Sequence, residues 1–163
     1  MDYTVRPMED TDLDRLVEVS LAADGLFARA GLELPPDDPR PMLAHCPLVL
    51  VAGRPAAGLA ALTELDGNAH LEQIAVHPTL GRRGIGTALL TAACAKARAQ
   101  GHRAITLTTF GDLAWNAPWY ARNGFTEFPR GSWGPELAVH WLAEEAAGIA
   151  VARRIAMRRL LTA

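Results

Sequence analysis

The sequence predicts an α/β domain built on a mixed, mostly antiparallel sheet with helices on its faces. Three observations lead there. Apolar runs separated by tight-turn residues recur between Pro47 and Val76, segments with helical spacing of apolar residues lie before and after them, and one glycine-rich turn leads from a strand into a helix. In chain order the elements read βαβββαβαβαβ, which is about seven strands.

Tyr3 to Arg6 reads as a short edge strand ended by Pro7. Thr11 is placed to cap a helix carrying Leu13, Leu16, Val17 and Leu21 at helical spacing. Pro35, Pro36 and Pro39, with Asp37 and Asp38, mark Gly31 to Pro41 as a loop or short helix with an acidic surface. An antiparallel meander follows: LVLVA, a turn at Gly53-Arg54-Pro55, AAGLAALTEL, a turn at Asp66-Gly67-Asn68, then HLEQIAV, ended by His77-Pro78. Gly84 begins a helix whose Ile85, Leu89, Ala92 and Ala93 form an apolar face, and Gly101 is placed to end it. A strand from Arg103 to Thr108, a short helix around Asn116 to Arg122 and a turn at Asn123-Gly124 come next. A strand from Phe125 to Phe128, a helix near Pro135 to Ala147 and a last strand through Arg153 to Arg158 complete the reading. No repeat, low-complexity tract or linker divides the chain, so residues 1–163 are expected to form a single domain.

Composition bounds the function. With 163 residues, 50% of them hydrophobic and 21% charged, the chain can bury one sizeable core. Its 16 Lys and Arg against 18 Asp and Glu leave a net charge of -2, so no basic field invites a nucleic acid or an anionic membrane. Cys46 and Cys94 are far apart without a CxxC context and read as small buried hydrophobes in a reducing compartment. The start, MDYTVRPMED, lacks the basic and apolar regions of a signal peptide. The Ala-rich stretch from Thr87 to Ala99 is too short for a membrane span and is broken by Lys96 and Arg98. A soluble, cytoplasmic protein is expected.

The most informative segment is VHPTLGRRGIGTALL, beginning at Val76. Gly81, Gly84 and Gly86 let backbone approach a ligand, and the amides of Arg83 to Thr87 sit where a helix start attracts anions. Arg82 and Arg83 add cations for phosphate oxygens, so a diphosphate fits. A P-loop would need Lys before a Ser or Thr after the last glycine, where Thr87 and Ala88 stand. A dinucleotide fold would need a small residue in place of Leu89 and an acid at the end of the next strand, which RAITLTT lacks. A nicotinamide or flavin oxidoreductase is therefore a poor third reading.

This loop resembles the signature of the GNAT superfamily, Arg/Gln-x-x-Gly-x-Gly/Ala, with Gly84 and Gly86 at the matching glycines. Gly81 stands where the signature has Arg or Gln, and the neighbouring Arg82 is placed to supply that side chain. VHP before the loop, the Asn-x-x-x-Tyr-x-x-x-Gly-Phe pattern after it and the order of elements extend the resemblance over most of the chain beyond about residue 47. It implies a central sheet splayed between strands 4 and 5, and acetyl-CoA as cosubstrate, with no metal. Arg82, Arg83, Gly84, Ile85, Gly86 and Thr87 would hold its pyrophosphate. The strand segment Ile74, Ala75 and Val76 would hydrogen-bond the pantetheine arm and polarise the thioester carbonyl.

The resemblance further implies that Asn116 contacts the cofactor and that Tyr120 protonates the departing thiolate. The chemistry suits a phenol, whose pKa of about 10 keeps the proton in place until sulfur gains charge. An alkylamine must lose a proton before it attacks, and Glu72, in a Leu-Glu pair on the fourth strand, is the candidate base, with Glu64 and His70 in reserve. Backbone dipoles would stabilise the tetrahedral intermediate. The reaction expected is direct N-acetyl transfer to a primary amine, and homodimerisation is implied by the resemblance alone.

The other histidines, His45, His77, His102 and His140, show no metal-ligand spacing. Ser20 and Ser132 lie outside any GxSxG. The Arg153-Arg154 and Arg158-Arg159 pairs read as solvated charges on an edge strand. Trp115 and Trp119 flank the expected centre, and Glu33, Asp37, Asp38 and Glu64 favour a cationic guest amine. The competing reading from another class is a catalytically silent acyl-CoA-binding regulatory module.

Overall fold

The computed structural model describes residues 2–162. In chain order its elements are β1 (Val5–Pro7), α1 (Leu13–Arg29), α2 (Arg40–His45), β2 (Leu48–Ala52), β3 (Gly58–Leu65) and β4 (Asn68–Val76). There follow α3 (Ile85–Ala99), β5 (Ala104–Phe110), α4 (Ala117–Arg122), β6 (Thr126–Glu127), α5 (Pro135–Ala146) and β7 (Arg154–Leu160). The strands form one seven-stranded sheet in the order β1-β2-β3-β4-β5-β7-β6. The pairs β1–β2, β2–β3, β5–β7 and β6–β7 are antiparallel, and β4–β5 is parallel. This is the mixed α/β sheet the sequence predicts. By its contacts the chain makes two compact units: one runs to Thr63 and resumes over Leu71–Lys96, and the other holds Glu64–His70 and the chain from Ala97.

In the first unit the two-residue period of the strands sorts side chains to opposite faces. Val49 and Val51 of β2 and Leu59 and Ala61 of β3 point to one face, where they join Leu16, Val17 and Val19 of α1 and Leu43 of α2. Burying each of the larger aliphatics contributes roughly 1.5–3 kcal/mol, which holds α1 on the sheet. Gly58 belongs to the opposite pleat. A Cβ there would lie 2.7 Å from the carbonyl of Ala75 and 3.0 Å from Leu89 of α3, so glycine allows the close seating of α3 and the end of β4.

The N-terminal cap differs from expectation. Thr11 sits inside a 3-10 turn, Asp10–Asp12, and the anchoring side chain is that of Asp12. Its carboxylate accepts from the Glu9 amide at 2.8 Å and from both terminal nitrogens of Arg6 at 2.7 and 2.8 Å. Residue type alone favours Thr at a cap, but Thr11 lies inside the turn, and the Asp12 side chain makes no cap to α1 and is held instead by the Glu9 amide and by Arg6 of β1. The hydrogen bonds from Arg6, followed by the Glu9 amide against the cost of burial, hold the Asp12 carboxyl below its ordinary pKa.

In the second unit β7 is the spine. It pairs with β5 from Ala104↔Leu160 to Phe110↔Arg154 and with β6 at Thr126↔Arg158 and Glu127↔Met157. The start of β4 pairs with β5 at Ala69↔Ile105 and His70↔Thr106. Leu137 of α5 packs with Phe128 and Ala156, with Leu65 and Trp133 at the margin. The last strand runs beyond the predicted Arg158 to Leu160, and the predicted strand from Phe125 to Phe128 keeps only Thr126 and Glu127 in the ladder. Phe125 and Phe128 are buried on either side of it, so their apolarity marked core contacts and not strand length.

Candidate active site

The turn expected to bind an anion lies in the first unit. At the end of β4, Ala75 turns into the core cluster, while Ile74 and Val76 on the other pleat are half-buried. The His77 amide donates to the Ala57 carbonyl at 2.9 Å, fixing where the chain leaves the sheet. The His77 ring caps the 3-10 turn Pro78–Leu80, with Nδ1 2.8 Å from the Thr79 hydroxyl and accepting from the Thr79 amide at 3.3 Å. This histidine is a structural cap.

Gly81, Arg82, Arg83 and Gly84 are exposed. The left-handed positions are Arg82, with φ of 62°, and Gly84, with φ of 77°, whereas Gly81 has an ordinary φ of -64°. The sequence reading placed the special backbone at the glycines, and one of the two positive angles falls on an arginine. A non-glycine residue there carries a cost of roughly 1–2 kcal/mol, a feature that clusters at ligand-binding turns. In α3 the Ala88 amide donates to the Gly84 carbonyl at 3.0 Å. The preceding amides of Ile85, Gly86 and Thr87 have no carbonyl within the helix to donate to. Their dipoles, with the exposed guanidinium groups of Arg82 and Arg83, suit an anion. Arg83 makes one long contact, 3.3 Å to the Tyr3 hydroxyl. Nothing lies within 4 Å of a Cβ built on Gly84, so the turn has open space on that side. A diphosphate-bearing cosubstrate fits this turn.

Glu72 and Cys46 also belong to this unit. Glu72 is half-buried. Burial, and then the charge of Glu72, pushes the Cys46 thiol up to about 12, so it stays protonated and offers no nucleophile. Gln73, the next residue, donates to the buried Ser20 hydroxyl of α1 at 2.8 Å. Asp24 on α1 was not singled out by the sequence; burial first, and then Asp37, pushes its carboxyl up to about 6. No signal short of the folded helix could have marked it.

The second unit carries the predicted tyrosine. The backbone around it is wired locally: the Tyr120 amide donates to the Asn116 carbonyl at 3.0 Å, and the Phe125 amide to the Tyr120 carbonyl at 3.1 Å. The Asn123 side chain donates to the Trp119 carbonyl at 2.9 Å. Edge-to-face contacts with Trp119 at 5.0 Å and Phe125 at 5.6 Å fix the Tyr120 ring. Burial holds its phenol well above the ordinary range, so the group keeps its proton. Asn116 precedes α4 but makes no side-chain cap; its Oδ1 accepts from the Thr109 hydroxyl at 2.7 Å, with both side chains buried. Thr109, the partner of the Asn116 side chain, was not singled out by the sequence, since a threonine in a strand carries no mark of its partner. Trp115 is exposed and Trp119 half-buried.

The two reserve bases fare differently. Glu64 is exposed. His70 is buried, its Nδ1 lies 2.8 Å from the Thr106 hydroxyl, and its ring meets His140 edge-on at 4.9 Å. Burial, then His140, pushes His70 down to about 3, so it is neutral near pH 7. The expectation of solvated arginines on the last strand is corrected at Arg154. Its guanidinium is 9% exposed, pairs with Glu144 at 3.1 Å, donates to the Thr108 hydroxyl at 3.0 Å and lies over the Phe110 ring. Arg153 is exposed and pairs with Asp112 at 3.0 Å. The strand alternation was legible, but the helix that covers one face of it with a carboxylate was not. Among the described residues no helix is long and apolar enough to cross a membrane.

Comparison with known proteins gives two findings. The model of the acetyltransferase (GNAT) family matches residues 18–125. Solved structures share the fold: an acetyltransferase of the GNAT family from Staphylococcus aureus Mu50 superposes with a TM-score of 0.74 at 18% identity, over 98% of this chain and 99% of that one. The ribosomal-protein-S18-alanine N-acetyltransferase from Escherichia coli gives 0.70 at 19%, over 98% and 94%. N-acetylglutamate synthase from Neisseria gonorrhoeae, complexed with coenzyme A and N-acetyl-glutamate, gives 0.71 at 15%, over 100% of this chain and only 36% of the synthase. At such identities the likeness speaks for the fold alone.

Proposed function

The chain belongs to the acetyltransferase (GNAT) family, and from that premise we propose that it is an N-acetyltransferase that moves an acetyl group from acetyl-CoA to a primary amine. The observation that carries this reading is the turn from Gly81 to Thr87, where two left-handed residues and two exposed arginines precede the start of α3. Residues 1–163 act, on this reading, as one catalytic domain.

Acetyl-CoA, when bound, supplies a thioester open to direct attack by the amine. The chain's residues do the rest. Amides from Arg83 to Thr87, with the Arg82 and Arg83 side chains, hold the diphosphate by charge-assisted hydrogen bonds. Main-chain groups of Ile74, Ala75 and Val76 orient the pantetheine arm. Asn116, held by Thr109, offers its amide donors to the cofactor. Tyr120 gives up a proton to the leaving sulfur; its buried phenol stays protonated across the working range of pH. Glu72 takes the proton from the amine, directly or through water. Cys46, held as a thiol, leaves no cysteine nucleophile at that point of the fold.

Calorimetric titration with acetyl-CoA, alongside an Arg82→Ala/Arg83→Ala double variant, tests the cofactor half. Saturable binding that weakens in the variant supports it, and absence of binding to any acyl-CoA removes the proposal. Thiol release across an amine panel then tests turnover. Tyr120→Phe is expected to lower kcat by roughly 10²-fold or more with acetyl-CoA affinity nearly unchanged. A wild-type chain that binds acetyl-CoA but releases no thiol with any amine would be the silent regulatory module instead.

A further inference from the structure

We infer that the second unit carries a binding site for a small zwitterion, a molecule with one carboxylate and one ammonium group, in the cavity between Asp66 and Arg158. This cavity measures about 260 Å³, and its lining includes Asp66, Asn68, Ser132 and Arg158 over an apolar floor of Phe128 and Leu137.

The two charges are held apart by separate anchors. Asp66 is fixed to the first turn of α5, its Oδ1 accepting from the Glu136 amide at 2.9 Å and its Oδ2 from the Leu137 amide at 3.0 Å. Its own amide donates to the Glu136 carboxylate at 2.6 Å. Each carboxylate oxygen thus keeps acceptor capacity for a ligand. Arg158 is half-buried on β7, with its guanidinium 4.6 Å over the Phe128 ring. Among the described residues no carboxylate pairs with that guanidinium and no side-chain hydrogen bond engages it. Opposite charges therefore line one cavity without meeting, and no described residue takes up the guanidinium donors of Arg158.

The Asn68 amide and the Ser132 hydroxyl also line this space with no protein partner among the described residues. Three polar side chains without a protein partner among the described residues and one half-used carboxylate line this space together with Phe128 and Leu137. That is the composition of a ligand pocket, with a few convergent polar groups in an apolar concavity. Its volume, just under the about 300 to 1,000 Å³ of pockets for drug-sized ligands, favours a small molecule. The charge pattern selects further. A phosphate or dicarboxylate would gain Arg158 but be repelled by Asp66, and a simple amine would meet the reverse. A carboxylate on Arg158 and an ammonium on Asp66 satisfy both, as in a short amino acid. This site needs neither acetyl-CoA nor Tyr120, so it stands apart from the acetyl-transfer reading.

The test is calorimetric titration of the full chain, without acetyl-CoA, with glycine, alanine, β-alanine and γ-aminobutyrate, which separate the two charges by increasing distances. Acetate, propionate and ethylamine are the singly charged controls. At least one amino carboxylate is expected to bind saturably, and each control to bind at least about tenfold more weakly. Arg158→Gln should produce a similar loss while Arg158→Lys loses less, with thermal midpoints within about 2 °C of wild type. Binding by none of the amino carboxylates, equal binding by the controls, or binding untouched by Arg158→Gln would overturn the proposal. Should Arg158→Gln not fold, Ser132→Tyr decides in its place: from its exposed position the ring fills the cavity, and retained binding would refute the site.

Discussion

The Thr109 hydroxyl, at the end of β5, donates a 2.7 Å hydrogen bond to the side-chain oxygen of Asn116, and both side chains are buried. The bond engages the acceptor end of the amide and leaves its two donors for a ligand. Thr109→Val keeps the shape and removes the donor. It should destabilise the fold by about 1–3 kcal/mol, because a buried acceptor loses its partner. It should also raise the KM for acetyl-CoA, and Thr109→Ser should restore both. Urea midpoints and initial rates read the two effects, and an unchanged KM in a folded valine variant would remove Asn116 from the cofactor's contacts.

Gly84 has a φ of 77° and open space around its Cβ position. Gly84→Ala therefore creates no clash, and its effect comes through the backbone at a cost of about 1–2 kcal/mol. If the turn holds a diphosphate, the chain relaxes toward negative φ and acetyl-CoA affinity falls by about tenfold. Gly131→Ala, also in open space but without a positive φ, should leave affinity unchanged. Equal affinities for both variants and wild type would mean that the turn does not read the ligand through its backbone.

Burial, then the neighbouring His140, pushes His70 down to about 3. An unfolded histidine titrates near 6.5, so between about pH 6.5 and 3 the unfolded chain holds a proton that the folded chain does not. Stability must fall as pH falls through that window, by up to about 1.4 kcal/mol per pH unit from this residue. His70→Asn should flatten the slope of unfolding free energy between about pH 6.5 and 4.5. Chemical denaturation at four or five pH values measures it, and an identical slope would assign the acid sensitivity to other groups.

Arg154 and Glu144 are 9% and 19% exposed and 3.1 Å apart. Removing one partner strands the other charge, so Arg154→Met should cost roughly 3–5 kcal/mol, whereas Arg154→Met with Glu144→Gln should cost clearly less. A double-mutant cycle on thermal or urea unfolding decides this. Strict additivity would mean that the pair contributes nothing as a pair.

The boundaries show which signals a sequence holds. The strand alternation of β2 and β3 placed Val49, Val51, Leu59 and Ala61 on one face, and they do share one core cluster with α1. The turn before α3 was legible because glycine spacing and adjacent arginines are a local pattern. The details inside it were less so: the positive φ at Arg82 follows from how the chain leaves the 3-10 turn at Pro78–Leu80. Thr11 looked like the cap by residue type, but it lies inside the 3-10 turn, where the Asp12 carboxylate is held by Arg6, a residue on a different element.

By itself the sequence determined the mixed α/β class, the order of elements, the glycine turn and the Asn116–Tyr120 segment, because each rests on neighbours within one turn or strand. Only the tertiary structure decided the strand order, the Thr109 support of Asn116, the neutral His70, the shielding of Arg154 and the facing of Asp66 and Arg158 across one cavity. Burial and charge pairing depend on groups far apart along the chain, and their energies are set by distance and desolvation, which no local pattern records.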